Sequence, residues 1–439
     1  MKINIPLSLA ALQVLLVASP ASAASPSDDH RAAFAATLAD PGDVEKVFAF
    51  AEIALREEDF EGAIAALERL VLVDPDLPRV RIQLGGLYLR IGSDAQARAY
   101  ASSALQSPTL DAQARGEAEA LLALADARAS RHRLRGVATT ALGYQSNANS
   151  APSAQSVTVG GVSYDLAASE RAQADGNGFL SAALDYVYDP KLDSGLTLEA
   201  IAVGSFTRQL EVTDYDIGTA GLVVGPRLPL TARPEDGANI WIYGLTSLTT
   251  LGDDLFSVGF GGGLTLTAPL TTGLWTDVVL EASHVTYHDG SVATSASEQT
   301  GFTPRGAVQL RDRLFDHLWV VVGGHGATLR ADVASQASVA YGGLVGLAIP
   351  FVSPFSSTAP ASVDVFYDHT FTRYDEADED LDPETRRDDT DLRVTALAQM
   401  PIGDHLSVFI SGGYADHPSN LALYTWSGAF ASGGASYVF

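Results

Sequence analysis

At 439 residues the chain is too long for a single small domain. Its formal net charge of −26 argues against nucleic acid or anionic lipid surfaces as partners. It has no Cys, which excludes a disulfide framework, a thiolate zinc site, a thiol nucleophile and a lipid anchor on Cys.

The chain opens MKINIPLSLAALQVLLVASPASAAS, with Lys2 ahead of an apolar run from Ile5 to Val17 and small residues at Ala21-Ser22-Ala23. This is the pattern of a secretory signal peptide, residues 1–23, cleaved after Ala23. The run is too short for a spanning helix, and no later segment supplies the roughly 18 to 20 apolar residues that one needs. The expectation is an exported protein that enters a membrane only as strands.

Residues 24–132 read as an α-helical domain. EKVFAFAEIALREEDFEGAIAALERLVLVDP has apolar residues three and four apart, and the helical pattern runs from about Asp43 to Ala129. Asp59 and Ser93 stand at predicted helix starts as caps; Pro75 and Pro108 follow predicted helix ends. A repeat of about 34 residues resembles the tetratricopeptide repeat. The copy at 78–111 has Gly85, Tyr88, Gly92, Ala97 and Ala104 at the packing positions; the copy at 44–77 keeps Ala51, Ala63, Leu67, Leu70 and Pro75. A last helix, 110–129, is expected to cap the stack. In that repeat family the first helix of each pair lines a concave face that grips peptides. The resemblance implies that Glu45, Phe48, Glu52, Leu55, Arg56, Arg79, Ile82, Leu89 and Arg90 form such a client-binding face. The plainer reading makes several of them core or solvated residues.

After RASRHRLRG (128–136) the hydrophobic period changes from 3.6 to 2. In DLRVTALAQM, Leu392, Val394, Ala396, Ala398 and Met400 share one face, opposite Asp391, Arg393, Thr395 and Gln399. In LWTDVVLEASHV, Asp277 and Glu281 oppose Val278, Leu280 and Ala282. One face suits hydrocarbon and the other water, the dyad signature of an outer-membrane barrel strand. Residues 133–439 hold about 14 such segments, an even number as single-chain bacterial barrels require. The gaps alternate between long and short. The longest, after the first strand, is read as loop, and Pro304 inside a strand is expected to mark a bulge. Tyr186, Tyr188, Trp241, Tyr243, Tyr287, Trp319, Tyr374 and Tyr424 lie near strand ends and are assigned to interfacial girdles. The predicted fold is thus α+β and multidomain: tetratricopeptide-like helices followed by a 14-stranded antiparallel transmembrane β-barrel.

GASYVF, 434–439, resembles the terminal signal read by the outer-membrane barrel assembly machinery, through Gly434, Tyr437 and Phe439. ALGYQSNANS, 141–150, resembles a Gly-Tyr-Asp-Ser-Asn stretch where the barrel of the surface lipoprotein assembly modifier family begins. Gly143, Tyr144, Ser146 and Asn147 match, and Gln145 replaces the acidic residue. The whole order of signal peptide, tetratricopeptide-like helices and barrel is similar to that family. The resemblance implies an outer-membrane protein of a Gram-negative bacterium, with its helical domain in the periplasm. Its implied task is moving a client, a lipoprotein or small secreted protein, to the surface across the lipid bilayer.

No set of residues specifies catalysis, a metal or a cofactor. GFGGGLTL, 259–266, lacks the following helix that a phosphate cradle needs and reads as tight strand packing. The acidic run from Asp375 to Glu384 lacks calcium-loop spacing and reads as a solvated loop. Glu199, Asp277, Glu281, Asp364 and Asp368 face the lumen with Arg227, Arg305, Arg311 and Arg393, and are expected to pair across it. The competing functions are a diffusion porin, a polysaccharide-export pore and an outer-membrane hydrolase.

Overall fold

The computed structural model describes residues 27–40, 43–57, 59–74, 76–159, 161–231, 237–271, 273–314, 318–356 and 360–439. The predicted signal peptide and Pro75 lie outside them. Contacts separate a helical unit, up to Arg133, from a second unit that starts at Leu134.

The helical unit contains α1 (Asp28–Ala39), α2 (Val44–Arg56), α3 (Phe60–Val73), α4 (Pro78–Arg90), α5 (Asp94–Leu105) and α6 (Ala112–Ala129). The starts of α2, α4 and α6 fall at Val44, Pro78 and Ala112, in a strict 34-residue phase. So α6, expected only as a cap, is the first helix of a third repeat. Helix α1 lies outside the expected helical run: DDHRAAFAATLA has Ala at five of its twelve positions and forms no apolar stripe. It docks through His30, whose ring lies 5.1 Å from that of Phe50 and whose Nε2 is 2.9 Å from Asp59.

The packing residues of the repeat do what their size requires. Phe50, Leu67, Leu70 and Leu84 are fully buried in one core with Ala51 and Ala63. A Cβ on Gly85 would stand 2.6 Å from Leu121 Cδ2 and 3.2 Å from Ala97 O, so Gly here lets Leu121 of α6 lie directly on α4. Gly92 ends α4 at φ +77°, the left-handed stop that Gly provides. Asp59 caps α3 by accepting from Gly62 N at 2.9 Å. Ser93 occupies the cap position of α5 but makes no side-chain cap bond, contrary to expectation.

Tyr88 and Tyr100 stack at 5.5 Å and both donate to Glu68 Oε1, at 2.6 and 2.9 Å. The bond to Glu68, with burial, pushes Tyr88 up to about 12; burial first, then the same bond, does so for Tyr100. Both pKa values are raised above the unfolded value near 10, so the protonated folded state is favoured. The stabilisation is full below pH 10 and is lost as pH rises through 12. Far-UV circular dichroism of the full chain should show its helical signal weakening across that window. Glu68→Gln should return tyrosinate absorbance at 295 nm toward the ordinary tyrosine range.

The second unit consists of β1 (His132–Gln145), β2 (Ser156–Val159), β3 (Val162–Asp165), β4 (Asp175–Tyr188), β5 (Thr197–Gln209), β6 (Ile217–Pro229), β7 (Asn239–Leu251) and β8 (Asp254–Pro269). It continues with β9 (Trp275–Tyr287), β10 (Gly301–Leu314), β11 (Leu318–Ala331), β12 (Ser338–Phe351), β13 (Ala361–Ala377), β14 (Arg386–Ile402), β15 (Leu406–His417) and β16 (Trp426–Val438). Strands β4 to β16 run in chain order and β1 joins β16, making a closed antiparallel barrel of fourteen strands. Strands β2 and β3 form a separate hairpin inside the longest connection, which had been read as loop.

The registers place the predicted apolar faces outward. Leu280, Phe260, Ile242 and Ile410 are 52%, 61%, 49% and 68% exposed, although no water need reach them in a bilayer. The glycines of β8 allow close neighbours: a Cβ on Gly261 would lie 2.3 Å from Ala282 O. Pro304 introduces no register shift; the ladder to β11 simply omits it while Pro304 still faces Ala282 of β9. The girdle assignment is corrected for most of its members. Trp241, Tyr243, Tyr287, Trp319, Tyr374 and Tyr424 lie on the inner side, where their polar ends find partners or ring contacts. Trp241 Nε1 donates to Gly225 O at 3.2 Å and Tyr243 Oη to Glu281 at 2.7 Å. The outward aromatics include Tyr144, Phe206, Phe260, Phe302, Tyr341, Tyr367, Phe371, Tyr414 and Tyr437, with Tyr186 and Tyr188.

Candidate functional site

Among the described residues two surfaces can handle a partner: one side of the helical unit and the inner wall of the barrel. On the helical unit, Glu45, Glu52, Arg56, Arg79 and Arg90 are exposed, and Ile82 is half-buried. Arg79 reaches Asp111 at 2.7 Å. The Ala114 N–H and the Arg79 guanidinium hold the Asp111 carboxyl below the usual carboxylate range. Arg90 lies over the Phe60 ring at 5.7 Å. Arg56 lines a cleft of about 280 Å³ with Ser27, Asp29, Ala32, Ile53 and Glu57, between α1 and α2.

Three predicted face residues are otherwise engaged. Phe48 and Leu55 are half-buried against the main core. Leu89 is only 5% exposed and packs with Ala97 and Ala125, so it belongs to the interior and not to an open groove. Conversely, the 34-residue phase adds Gln113, Gly116, Glu117 and Ala120 of α6, which occupy the positions of Arg79, Ile82, Gln83 and Gly86 one repeat later. All four are exposed. A Cβ on Gly86 or Gly116 would meet nothing within 4 Å, so the backbone there is open to a bulky side chain from outside.

On the barrel wall six of the nine predicted charges pair with one another, but along the wall between strands of one arc and not across the lumen. Glu199 of β5 meets Arg227 of β6 at 2.7 Å, and Arg227 also donates to Asn239 of β7 at 2.7 Å. Glu281 of β9 pairs with Arg305 of β10 and accepts from Tyr243. Asp277 accepts from Thr267 at 2.7 Å, and Arg311 Nε lies 2.9 Å from its Oδ2. The long guanidinium stems lie flat because adjacent strands, about 4.8 Å apart, put a carboxylate in closer reach than the far wall does. The other arc is held differently. His325 bonds Thr370 at 2.8 Å, Ser411 bonds Ser432 at 2.7 Å, and Thr139 bonds Ser436 at 2.9 Å. Arg393 lies over the Phe430 ring, and Asp364 accepts from Ser362 at 3.1 Å.

The two sequence motifs meet at the β1–β16 seam. Gly434 faces Ala141, and Tyr437 faces Ala138 from the outer side. Phe439 and Gly136 exchange two backbone hydrogen bonds, of 2.9 and 3.0 Å, and the Phe439 ring covers the glycine. At the other end of the seam, Tyr144 points outward, while Ser146 exchanges hydrogen bonds with Ala429. Asn147 is buried and donates to Ala151 O and Ser427 O at 2.9 and 3.0 Å. Gly143 has no room for a Cβ beside Asn177 Oδ1, at 2.7 Å, on β4.

No family model matches this chain, and no curated protein does. Solved structures are similar to its two units separately. The helices are similar to the Yersinia enterocolitica type III secretion chaperone SycD in complex with a peptide of the translocator YopD. That match has 14% identity, 23% of this chain, 79% of the other and a TM-score of 0.22. The barrel is similar to an outer membrane channel from Pseudomonas putida F1, with 14% identity, 69% of this chain, 96% of the other and a TM-score of 0.33. It is also similar to a loop-deletion mutant of OmpT, an outer membrane protein of Vibrio cholerae, at 11% identity, 71% and 100% coverage and a TM-score of 0.37. Among the described residues the architecture is six helices, five of them in tetratricopeptide-like phase, followed by a closed antiparallel barrel of fourteen strands. No described helix is long and apolar enough to cross a membrane.

Proposed function

We propose that this protein moves a partner protein to the cell surface, in the manner of the surface lipoprotein assembly modifier family. The observation that carries the reading is the union, in one polypeptide, of an in-phase three-repeat helical face and a closed fourteen-strand barrel. In this reading the helical domain stands in the periplasm and holds a lipoprotein or small secreted client. The open positions over Gly86 and Gly116 take its bulky side chains, and Glu52, Glu117, Arg56 and Arg79 complement its charges. The barrel spans the outer membrane, is delivered there by the assembly machinery through Gly434, Tyr437 and Phe439, and uses no catalytic group or cofactor.

The test is to delete the gene and to follow, by protease shaving of intact cells, the product of a neighbouring gene that encodes a small lipoprotein or β-rich secreted protein. Loss of surface exposure, restored by the intact gene and not by Gly86→Trp, supports the reading. Unchanged exposure defeats it. A diffusion pore is the second reading, favoured by the ion-paired and hydroxyl-lined wall; it requires steady conductance in planar bilayers with no partner present.

A further inference from the structure

The densest buried polar cluster of the barrel plays no part in the reading above. It lies at the end of the barrel that carries the longer connections, on the inner side of β13 to β16. Arg387 is 7% exposed although its strand position faces the bore. Its guanidinium is held between two rings, 4.6 Å from the centroid of Tyr374 and 3.3 Å from that of Tyr424. It also grips Asp389 with two nitrogens, at 2.6 and 3.0 Å. His417, 6% exposed, bridges Asp389 at 3.4 Å and Asp391 at 2.6 Å, and Trp426 stacks on it.

Tyr424 is the informative member. It sits in the connection between β15 and β16, in a short 3-10 turn, Ala422–Tyr424. Residues 418–420 continue along the wall against β14, so for the Tyr424 ring to lie on an inward Arg the 421–425 part of the connection must turn toward the bore. Asn420 fixes the fold by accepting from Asp388 N at 2.8 Å and donating to Arg386 O at 2.7 Å. Strand β2 of the extra hairpin then packs on the 422–424 turn, with Val157 only 4% exposed. The hairpin is tied down in turn by Asn147 to Ser427 O and by Asn149, 1% exposed, to Arg171 O and Gln173 N. A barrel wall needs none of this for its own hydrogen bonding.

We infer that the β15–β16 connection and the β2–β3 hairpin form an inward strap that closes part of this mouth of the barrel, and that Arg387 is its latch. The latch is a charged group fixed by two rings and a carboxylate, so it holds the strap in one place; removing it frees the 421–425 part of the connection and the hairpin face packed on it, while the backbone bonds of Pro418 and Asn420 to β14 remain. The inference concerns the bore as such and stands whether its cargo is a protein or a small solute.

The test uses the full chain, refolded in detergent and inserted into planar bilayers, with heat-modifiable mobility on gels reporting that the barrel has formed. Two variants attack the strap from different sides: Arg387→Ala removes the latch, and Val157→Asp puts a charge between hairpin and turn. Arg373→Ala, which breaks an exposed outward pair with Asp388, is the control. The unaltered protein should pass little current, and both strap variants should raise mean current on the order of tenfold. The control should behave as the unaltered protein. If the strap variants form barrels and conduct as the parent does, or if Arg373→Ala raises the current equally, the inference is overturned. Should Arg387→Ala fail to form a barrel, Val157→Asp decides alone.

Discussion

Gly434→Val should abolish the folded barrel, whereas Gly433→Ala, one residue away, should leave it intact. A side chain at 434 would place its Cβ 2.1 Å from Thr140 O and 2.8 Å from Ala141 Cα, both backbone atoms of β1. Neither atom can move without opening the β1–β16 ladder. Overpacking in a yielding core costs about 1–3 kcal/mol, and a clash with strand backbone lies above that range. At Gly433 a Cβ would meet Ile410 Cγ2 and Phe409 O at 3.7 Å, which is ordinary contact. Gly434→Ala, which adds the same single methyl as Gly433→Ala on the opposite face, separates face from bulk and should also fail to fold. Heat-modifiable mobility after refolding checks the pair; a folded band for Gly434→Val would refute the seam geometry.

Asp277→Ala is expected to cost about 3 kcal/mol or more, because it strands a buried cation. Both side chains of the Asp277–Arg311 pair are only about a tenth exposed, at 11% and 10%. Losing Asp277 leaves the Arg311 guanidinium and the Thr267 hydroxyl without the acceptor they share. The double variant Asp277→Ala/Arg311→Met should recover much of the loss, since no unpaired charge then remains inside. The exposed pair Arg373–Asp388, at 65% and 52%, should be worth less than about 1 kcal/mol. The midpoint temperature at which the folded gel band disappears ranks all three. Equal shifts for Asp277→Ala and the double variant would show that the buried charge is not what destabilises.

The fold was legible where the period of the sequence was long and clean. Strands such as β9, with Asp277 and Glu281, and β14, with Asp391 and Arg393, carry charges in one parity class opposite an apolar face, so their parity fixes both the strand and its facing. Strand β7, NIWIYGLTSLTTL, alternates as regularly, but Ile and Leu occur on both faces and no charge marks the wet one. Trp241 and Tyr243 were therefore placed in a girdle when they line the bore. Their ring N–H and hydroxyl find Gly225 O and Glu281 there. The β2–β3 hairpin left a trace that was passed over: SVTVGGVSYD is two short β-prone runs around Gly-Gly. Helix α1 left almost none, because Ala packs well on either side of a helix and draws no stripe.

The candidate helical face was legible in phase and misjudged in depth. Adding 34 to each position of α4 reaches Gln113, Gly116 and Glu117 without any coordinates. Burial does not follow from phase. Leu89 has the spacing of a face residue, yet α6 comes close enough for Ala125 to cover it, and only the Gly85–Leu121 approach reveals that. The latch at Arg387 was invisible for a related reason. Tyr374, Arg387, His417 and Tyr424 are far apart in sequence and become one cluster only after three hairpins have registered.

The placement of the inner charges makes the cylinder unequal around its circumference. From β5 to β10 the ion pairs act like hoops, each crossing a strand boundary, so swelling along that arc must pull charged groups apart. From β11 round to β1 the middle of the inner wall is tied by hydroxyls and an imidazole, which re-form after sliding, and the ion pairs of Arg387 and His417 stand only at its mouth. Under a load from within, such a tube should give way first at mid-height on that side, next to the seam.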